Sequence, residues 1–295
     1  MENNFNTPAQ VIQGNIHGGI GKSNLPAVKL MILGFMAGMF IALGAAVSSM
    51  AGHSIVNPSA ARIITALIFP IGLMAIVFVD GELFTGNCLI AMAVYDKKTT
   101  WLKFFRNLGI VYFANLIGSL FIMVLVYFSG QLEYNGGKLG AYAIKVAIGK
   151  SSLTATQEIF SGIICNILVC LAILMAAASR DIIGKIWAIY FPIFAFVLGG
   201  FEHSVANMFF VPMGILASTN DKFMNLAKEL YGFTPEQLDS LSILEGTKHI
   251  LFVSLGNFIG GAIILGGICY LIHIKQNSRS NKITKADKKN MFCTF

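Results

Sequence analysis

Charged side chains are scarce in this sequence, and their scarcity decides the class of protein. Asp, Glu, Lys and Arg make up 12% of the 295 residues, against about a quarter in an ordinary soluble domain. Hydrophobic residues make up 56%. No acidic or basic residue occurs from 186 to 201 or from 203 to 220. We therefore expect an integral membrane protein rather than a soluble domain.

Several sequence patterns are also missing. Residues 1–23 lack the apolar core of a signal peptide, so we expect no cleavage. The five cysteines have no metal-ligand or redox spacing, and we expect neither a metal nor a cofactor. The absence of an Asn-Pro-Ala motif argues against an aquaporin-type channel for neutral solutes, which stays as the alternative function. The absence of a Gly-x-Ser-x-Gly motif argues against an intramembrane hydrolase.

Positive charge is distributed unevenly along the chain. The net charge is +7, and six of the 21 Lys and Arg residues lie between 275 and 289. This distribution predicts a solvated basic tail over 276–295, near anionic lipid, rather than a nucleic-acid surface. If both termini are cytoplasmic, 14 of the 21 basic residues lie on the cytoplasmic side. The excess of positive charge predicts that topology for a multi-pass protein of the cell membrane.

Charge-free runs locate six membrane spans, since a crossing helix needs roughly 20 mostly apolar residues. The spans are expected over 30–50, 63–95, 107–132, 159–179, 186–220 and 250–272. The second and fifth are too long for one straight helix, and polar residues interrupt each near its middle. Irregular backbone is tolerated at membrane depth only where protein or water surrounds it. We therefore predict that helices 2 and 5 are broken.

The two halves of the chain share short segments in the same order. The pairs are 69–71 and 191–193, 82–87 and 202–207, and 115–118 and 257–260. Because each half has three spans, the second half must enter the membrane inverted. Interrupted hydrophobic segments at corresponding places in inverted halves point to a transport site. We place the repeats at about 28–132 and 155–275.

The N-terminal segment has a helical pattern of its own. Thr7-Pro8 is a good helix start, and Val11, Ile12 and Ile16 follow at roughly helical spacing. We predict an amphipathic helix at about 7–21, lying on the membrane surface or under the bundle, with a mobile N-terminus as the alternative. This helix and the two repeats form a single transmembrane domain, 1–275.

The two interruptions carry the candidate functional residues. An ionisable residue in so apolar a region marks a functional site by default. His203 is the only histidine predicted at mid-membrane, and a free histidine has a pKa of about 6.5. Its place at a helix break, mirrored by Thr85 at the other, favours a role in a pore over a role as a packed structural histidine.

The acids and amides of the two breaks favour a structural role. Buried carboxylates such as Glu82 and Glu202 can accept hydrogen bonds from loop N–H groups and stabilise the break. Asn87 and Asn207 lie where they could cap the half-helices that follow.

Residues 81–87 and 200–208, continuing to Pro212-Met213-Gly214, resemble signatures of the formate/nitrite transporter family. Asn24-Leu25-Pro26 and Cys165-Asn166 also match, and the resemblance runs from about residue 7 to 273. It implies an all-α integral membrane protein with an aquaporin-like six-helix bundle, an inverted 3+3 repeat and broken helices 2 and 5. It also implies a homopentamer with one pore in each subunit.

The same resemblance implies three groups of site residues. The pore centre consists of Thr85 and His203, with Asn166 as a nearby polar contact. Lys150 and Lys22 attract anions at the two mouths of the pore. Two apolar constrictions, whose sides stay unassigned, are formed by Phe69, Leu73, Leu83, Phe84, Val169 and Phe196.

These features predict a channel or transporter for small monovalent anions of weak acids, not an enzyme. Formate is the first choice, and nitrite and hydrosulfide stay open. Apolar rings oppose a bare charge, but a weak acid can cross as its neutral form. His203 could supply or stabilise the proton between the rings, a route that chloride cannot use. The expected partners are the anion, protons, the lipid bilayer and four further copies of the chain, and no nucleic acid.

Overall fold

A computed structural model describes residues 5–275, and the basic tail expected over 276–295 lies outside the described residues. Apart from one isolated bridge between Phe5 and Ser179, the described residues form helices and connecting segments. The helices are α1 Pro8–Ser23, α2 Ala27–Gly52, α3 Pro58–Val79, α4 Phe84–Tyr95, α5 Trp101–Phe128, α6 Lys138–Ser151, α7 Ala155–Ala178, α8 Ile182–Gly199, α9 Ser204–Ser218, α10 Asp221–Tyr231, α11 Pro235–Asp239 and α12 Ile243–His273.

Six of these helices are long and apolar enough to cross a membrane, which confirms the expected number of spans. They are α2, α3, α5, α7, α8 and α12. Two shorter apolar helices, α4 and α9, continue the courses of α3 and α8 after a short interruption. The second and fifth helices are therefore broken, as the sequence predicts. The fold is an all-α bundle built from two three-span halves.

Helix starts differ from the charge-free runs because capping residues set them. The third span begins at Trp101, six residues before the expected start, since the Thr100 hydroxyl accepts the N–H of Lys103. Lys103 and Arg106 lie in the first turns of α5 and are exposed. Their side chains donate to Asn24 Oδ1 at 2.7 Å and to the Leu25 carbonyl at 3.1 Å. Charge-free runs thus mark the apolar part of a helix and not its ends.

The chain turns sharply at the start of each break. Asp80 and Gly200 occupy corresponding positions and have φ angles of 78° and 70°. Glycine is favoured at the second position because the left-handed αL conformation strains a residue that has a Cβ, and a Cβ there would also displace the Arg62 guanidinium. Asp80 also has a positive φ, but its ψ of 134° places it in a different and sparsely populated region, at a cost of roughly 1–3 kcal/mol.

Glycines bring the spans of each half together within the protomer. A Cβ on Gly118 of α5 would lie 2.0 Å from the Phe35 carbonyl oxygen of α2. In the second half, a Cβ on Gly256 of α12 would lie 2.2 Å from the Ile159 carbonyl oxygen of α7. Backbone contact of this kind is how helices pack in lipid, where small residues replace the hydrophobic driving force. The pairs α2–α5 and α7–α12 therefore form matching scaffolds for the two breaks.

Two helices outside the spans lie beside the pore elements. Helix α1 starts at a capping box in which Thr7 and Gln10 bond to each other's backbone N–H, and it packs under the bundle against α4 and α7. Helix α6 was not expected from the sequence, and it packs against α9. Lys22 lies in the last turn of α1 and Lys150 in the last turn of α6. Each lysine thus reaches the acid of a different break, Lys22 that of the first and Lys150 that of the second.

We expect Gly118→Ala to lower the free energy of unfolding by about 1–3 kcal/mol, because the added methyl group must displace the α2 backbone. Gly109→Ala on the same helix is the control, since nothing lies within 4 Å of its Cβ position. It should be neutral or stabilising by about 0.5–1 kcal/mol. Thermal unfolding in detergent measures both. Equal losses for the two variants would contradict the close α2–α5 contact.

Candidate functional site

Asn115 of α5 supplies the hydrogen bonds that the first break lacks. Its Oδ1 accepts the backbone N–H of Phe84 at 2.9 Å. Its Nδ2 donates to the carbonyls of Glu82 at 2.9 Å and of Gly34 at 2.7 Å. An unsatisfied backbone group in the membrane costs several kcal/mol. One fully buried amide therefore stabilises the break and ties it to α2.

Asn257 of α12 does the same for the second break. Its Oδ1 accepts the N–H of Ser204 at 2.9 Å, and its Nδ2 donates to the carbonyls of Glu202 at 3.0 Å and of Gly162 at 2.8 Å. The matching bonds show that the internal repeat extends to single atoms. Sequence comparison paired the segments that contain Asn115 and Asn257 but did not assign this role.

The first break also contains an ion pair. Glu82 Oε1 lies 3.0 Å from Lys22 Nζ, and Glu82 Oε2 accepts from Asn87 Nδ2 at 2.6 Å. Lys22 Nζ donates to Asn87 Oδ1 at 3.1 Å. The capping role expected of Asn87 was wrong, since Leu83 occupies the N-cap position and makes no side-chain cap. The Glu82 carboxylate is bound by side chains, not by the expected loop N–H groups.

The second break repeats this unit with Lys150. Glu202 Oε2 accepts from Lys150 Nζ at 2.8 Å and from Asn207 Nδ2 at 2.7 Å. Here too the expected cap was wrong, because His203, not Asn207, caps the following helix. Loop N–H groups again do not hold the carboxylate. Both lysines named as mouth residues are thus paired with the acid of a break.

The two breaks meet at Thr85 and His203. Thr85 Oγ1 lies 3.0 Å from His203 Nε2, and the two residues are 0% and 2% exposed. His203 Nδ1 accepts the N–H of Ala206 at 3.1 Å. Because Nδ1 is an acceptor, the neutral ring carries its proton on Nε2 and donates to Thr85. Among the described residues, the Thr85 hydroxyl has no acceptor for its own proton, and Thr85 lines neither of the two cavities described below.

Helix geometry makes this centre suitable for an anion. Helix α4 begins at Phe84 and α9 at Ser204, so their N-termini both lie at the contact between Thr85 and His203. A helix N-terminus carries partial positive charge, and it does so here although the N–H groups of Phe84, Ser204 and Ala206 are bonded to side chains. Two such ends facing one point favour negative charge between them.

Asn166 lies behind this pair. Its Nδ2 donates to the Thr85 carbonyl at 3.2 Å and to the Asn257 carbonyl at 2.6 Å, and the residue is fully buried. It lines neither of the two cavities described below. Its contacts position the Thr85 backbone, so a direct polar contact with a solute is not what this geometry favours.

Two cavities approach the centre from opposite sides. The cavity on the Lys150 side has a volume of about 740 Å³ and reaches His203 past Phe69 and Phe196. The rings of Phe69 and Phe196 meet edge to face at 5.5 Å, and Phe196 stacks on the His203 ring at 5.8 Å. The cavity on the Lys22 side has a volume of about 390 Å³, and Leu73 and Leu83 line it.

This arrangement places four of the six residues named as constrictions. Phe69 and Phe196 lie on the Lys150 side and Leu73 and Leu83 on the Lys22 side. Phe84 and Val169 are buried and line neither cavity among the described residues. The Phe84 ring instead packs edge to face on Tyr112 at 5.0 Å.

The Lys150-side cavity is lined by cations. They are Arg62, Lys138, Lys145 and Lys150, and among the described residues Glu202 is the only carboxylate of the lining. Burial raises the pKa of the Tyr142 and Tyr231 phenols in this wall, so they add no negative charge. A cleft of one sign raises the local concentration of the opposite ion.

Sequence reasoning missed two titratable residues beside the second break. His249 Nδ1 lies 2.8 Å from Glu158 Oε1, and His249 Nε2 lies 2.8 Å from Asn207 Nδ2. Both residues are buried. His249 was missed because it lies one residue before the charge-free run 250–272. Glu158 was missed because it precedes the run 159–179 in the same way.

We expect Asn257→Leu to abolish stable assembly or to lower the unfolding free energy by about 3 kcal/mol or more. The substitution leaves several buried backbone groups unpaired, each at about 1–3 kcal/mol. Thr247→Val, an exposed position on the same helix, is the control and should change stability by less than about 0.5 kcal/mol. Thermal unfolding in detergent compares the two. A wild-type midpoint for Asn257→Leu would show that the break does not depend on this amide.

Comparison with known proteins agrees with the geometry. The model of the family described as "Formate/nitrite transporter" matches residues 9–271. The chain is 34% identical to the "Probable formate transporter" of Methanothermobacter thermautotrophicus, over 94% of this chain and 100% of that protein. It is 30% identical to "Formate channel FocA" of Escherichia coli strain K12, over 92% of this chain and 95% of that protein.

Solved structures show the same fold. One titled "Pentameric formate channel with formate bound" superimposes with a TM-score of 0.73 and 30% sequence identity, covering 84% of this chain and 98% of that one. Another, titled "FNT family ion channel", gives a TM-score of 0.76 at 25% identity, covering 88% and 98%. The proteins matched are transporters and channels, not enzymes. The sequence, the broken helices and these relatives together show that the chain belongs to the formate/nitrite transporter family.

Proposed function

We propose that the protein is a membrane pore for small monovalent anions of weak acids, with formate as its first substrate. The observation that carries this proposal is the contact between Thr85 and His203 where two helix N-termini meet, between two cavities. Relatives named as formate transporters and channels support the choice of formate. Nitrite and hydrosulfide have the same charge and acid chemistry and are the competing substrates.

The anion enters through the cation-lined cavity or past Lys22. With both termini cytoplasmic in the cell membrane, the Lys150 mouth is external and the Lys22 mouth is internal. The N-terminal helix, packed under the bundle, belongs to the single domain 1–275 and supplies the internal lysine. Each mouth raises the local anion concentration without a tight binding site.

Apolar constrictions then separate weak acids from other anions. Phe69 and Phe196 form the external constriction, and Leu73 and Leu83 the internal one. A bare anion loses its hydration there, whereas a neutral weak acid does not carry this cost. Chloride, the anion of a strong acid, has no neutral form to use. A solute held between the rings therefore needs a proton.

The Thr85–His203 pair aids that protonation. His203 borders the Lys150-side cavity, so water there can protonate Nδ1 when its bond to the Ala206 N–H opens. The Nε2 proton then passes to Thr85 Oγ1 as the Thr85 hydroxyl proton passes to the anion. A neutral weak acid, an intact hydroxyl and a neutral imidazole remain. The imidazole is suited to this exchange because either ring nitrogen can carry the proton.

The assembly is a homopentamer with one pore in each protomer. A solved relative at 30% identity is titled as pentameric. Apolar side chains of the described part of α5, such as Phe113, Ile117 and Phe121, are exposed in the single chain. Lipid or neighbouring protomers cover such a surface in the membrane.

Flux through liposomes tests this function. Purified protein should pass formate, and also nitrite, at least about tenfold faster than chloride, which needs a barrier difference of only about 1.4 kcal/mol. Isotope uptake at two pH values, with empty liposomes as the control, measures the rates. Equal rates for chloride, or glycerol uptake without anion flux, would overturn the proposal and favour the neutral-solute channel.

His203→Asn tests the proton step. Asparagine retains a polar group but cannot titrate, so the oligomer should remain folded while formate flux follows pH differently and chloride is excluded less well. His203→Phe removes the polar centre as well and should leave the pore nearly impermeable. His17→Asn, an exposed histidine on α1, is the matched control and should behave as wild type. An unchanged pH profile and selectivity in His203→Asn would leave the imidazole a hydrogen-bonding role only.

A further inference from the structure

The second half of the chain has a histidine where the first half has an amide. Asn107 and His249 each lie eight residues before the asparagine that ties its break. Asn107 Oδ1 accepts from Asn87 Nδ2 at 2.8 Å, and His249 Nε2 lies 2.8 Å from Asn207 Nδ2. Both residues are buried. They occupy corresponding positions, but only one of them can titrate near neutral pH.

A second difference lies beside the first. Leu30 and Glu158 each lie four residues before the glycine whose carbonyl the break-tying asparagine binds, Gly34 in one half and Gly162 in the other. Leu30 is 0% exposed and Glu158 is 4% exposed. Leu30 and Asn107 in the first half thus correspond to the acid Glu158 and the imidazole of His249 in the second. Because the first half forms its break without them, Glu158 and His249 are not needed to build one.

Charged groups surround His249 on the elements packed against it. Helix α7 contributes Glu158, whose Oε1 lies 2.8 Å from Nδ1. The break contributes Glu202, whose Oε2 lies 3.5 Å from Nε2. Helix α6 contributes Lys150, bound to that same Glu202 oxygen at 2.8 Å. Helix α9 contributes only the neutral amide of Asn207.

The hydrogen bonds describe the neutral form of this histidine. Nε2 accepts from the Asn207 amide, so the ring proton lies on Nδ1 and is donated to Glu158. In this form Lys150 provides one positive charge and the two glutamates provide two negative charges. The group therefore carries one surplus negative charge. At the other mouth, Lys22 and Glu82 balance each other.

We propose that Glu158 and His249 form a proton-binding site behind Glu202 at the Lys150 mouth, and that its protonation speeds anion entry from that side. The proposal rests on the proposed function as an anion pore. A proton on His249 cancels the surplus charge. It also places a second cation beside the Glu202 oxygen that binds Lys150. Glu202 then offsets less of the positive potential of Lys150. Among the described residues, no histidine lines the cavity on the Lys22 side.

The test measures the electrostatic part of entry alone. Initial formate entry is compared at low and high ionic strength, as external pH falls from about 8 to about 5.5, on either side of the ordinary imidazole pKa. Cleavage of the basic tail by external protease measures the orientation of the protein in the liposomes. The entry rate at low salt is divided by the entry rate at high salt at each pH. This ratio cancels the change in the fraction of formic acid with pH, because salt screens only the electrostatic attraction. In wild type this ratio should rise about two- to threefold, the effect of one unit charge roughly 8 Å away in water.

Three variants separate the proton site from a structural role. Glu158→Leu combined with His249→Asn copies the first half of the chain and should give a high ratio at every pH. Glu158→Gln alone should give a high ratio already at about pH 8, and the ratio should rise further when His249 beside Glu202 is protonated. His249→Asn alone retains the surplus charge and should give a low ratio at every pH. Glu158→Gln and His249→Asn should therefore give opposite changes in this ratio. Two variants that only loosened the fold at neighbouring buried positions would change the ratio in the same direction.

Glu245→Gln is the matched control, since it removes an exposed carboxylate from the helix that carries His249. It should keep the wild-type rise in the ratio. A wild-type rise in all three test variants would overturn the proton site while the proposed function stands. A wild-type protein with no formate flux at any pH would overturn both. If the double variant fails to assemble, the two single variants decide the question.

Discussion

The structure depends on one constraint: backbone N–H and C=O groups that leave a helix inside the membrane must be bonded again. Asn115 and Asn257 meet it at the two breaks, each with one acceptor and one donor group directed at the loop. Their bonds fix where α4 and α9 begin. The meeting of two helix N-termini, and with it the contact between Thr85 and His203, follows from these two side chains.

The same constraint explains why the lysines at the mouths are paired. Each break contains an acid, Glu82 or Glu202, whose charge a lysine neutralises. The carboxylate also accepts a hydrogen bond from Asn87 or Asn207. The lysines therefore have two tasks, to stabilise the break and to provide positive potential in a cavity. An ion pair of this kind is costly to disrupt, since removing one partner leaves a buried charge. Loss of either lysine should thus destabilise the fold as well as alter the anion flux that we propose.

Sequence reasoning succeeded where the pattern is long and failed where it is local. Apolar runs and their interruptions predicted six spans and two broken helices, because membrane thickness allows few alternatives. The pattern could not tell which polar residue caps a half-helix, and His203 took the role expected of Asn207. Nor could it find Glu158 and His249, since each lies just outside an apolar run and only the packing of α7 on α12 brings them together. The roles named for Thr85, Asn166 and the constrictions remain predictions.

The inverted repeat has a consequence for how such a protein can change over evolution. The centre takes Thr85 from one half and His203 from the other, so a substitution there alters passage in both directions at once. At each mouth the lysine, the acid and the asparagine bound to that acid come from one half of the chain, although residues of both halves line the cavities. Selection can therefore adapt the protein to the chemistry of one compartment while its behaviour toward the other is preserved.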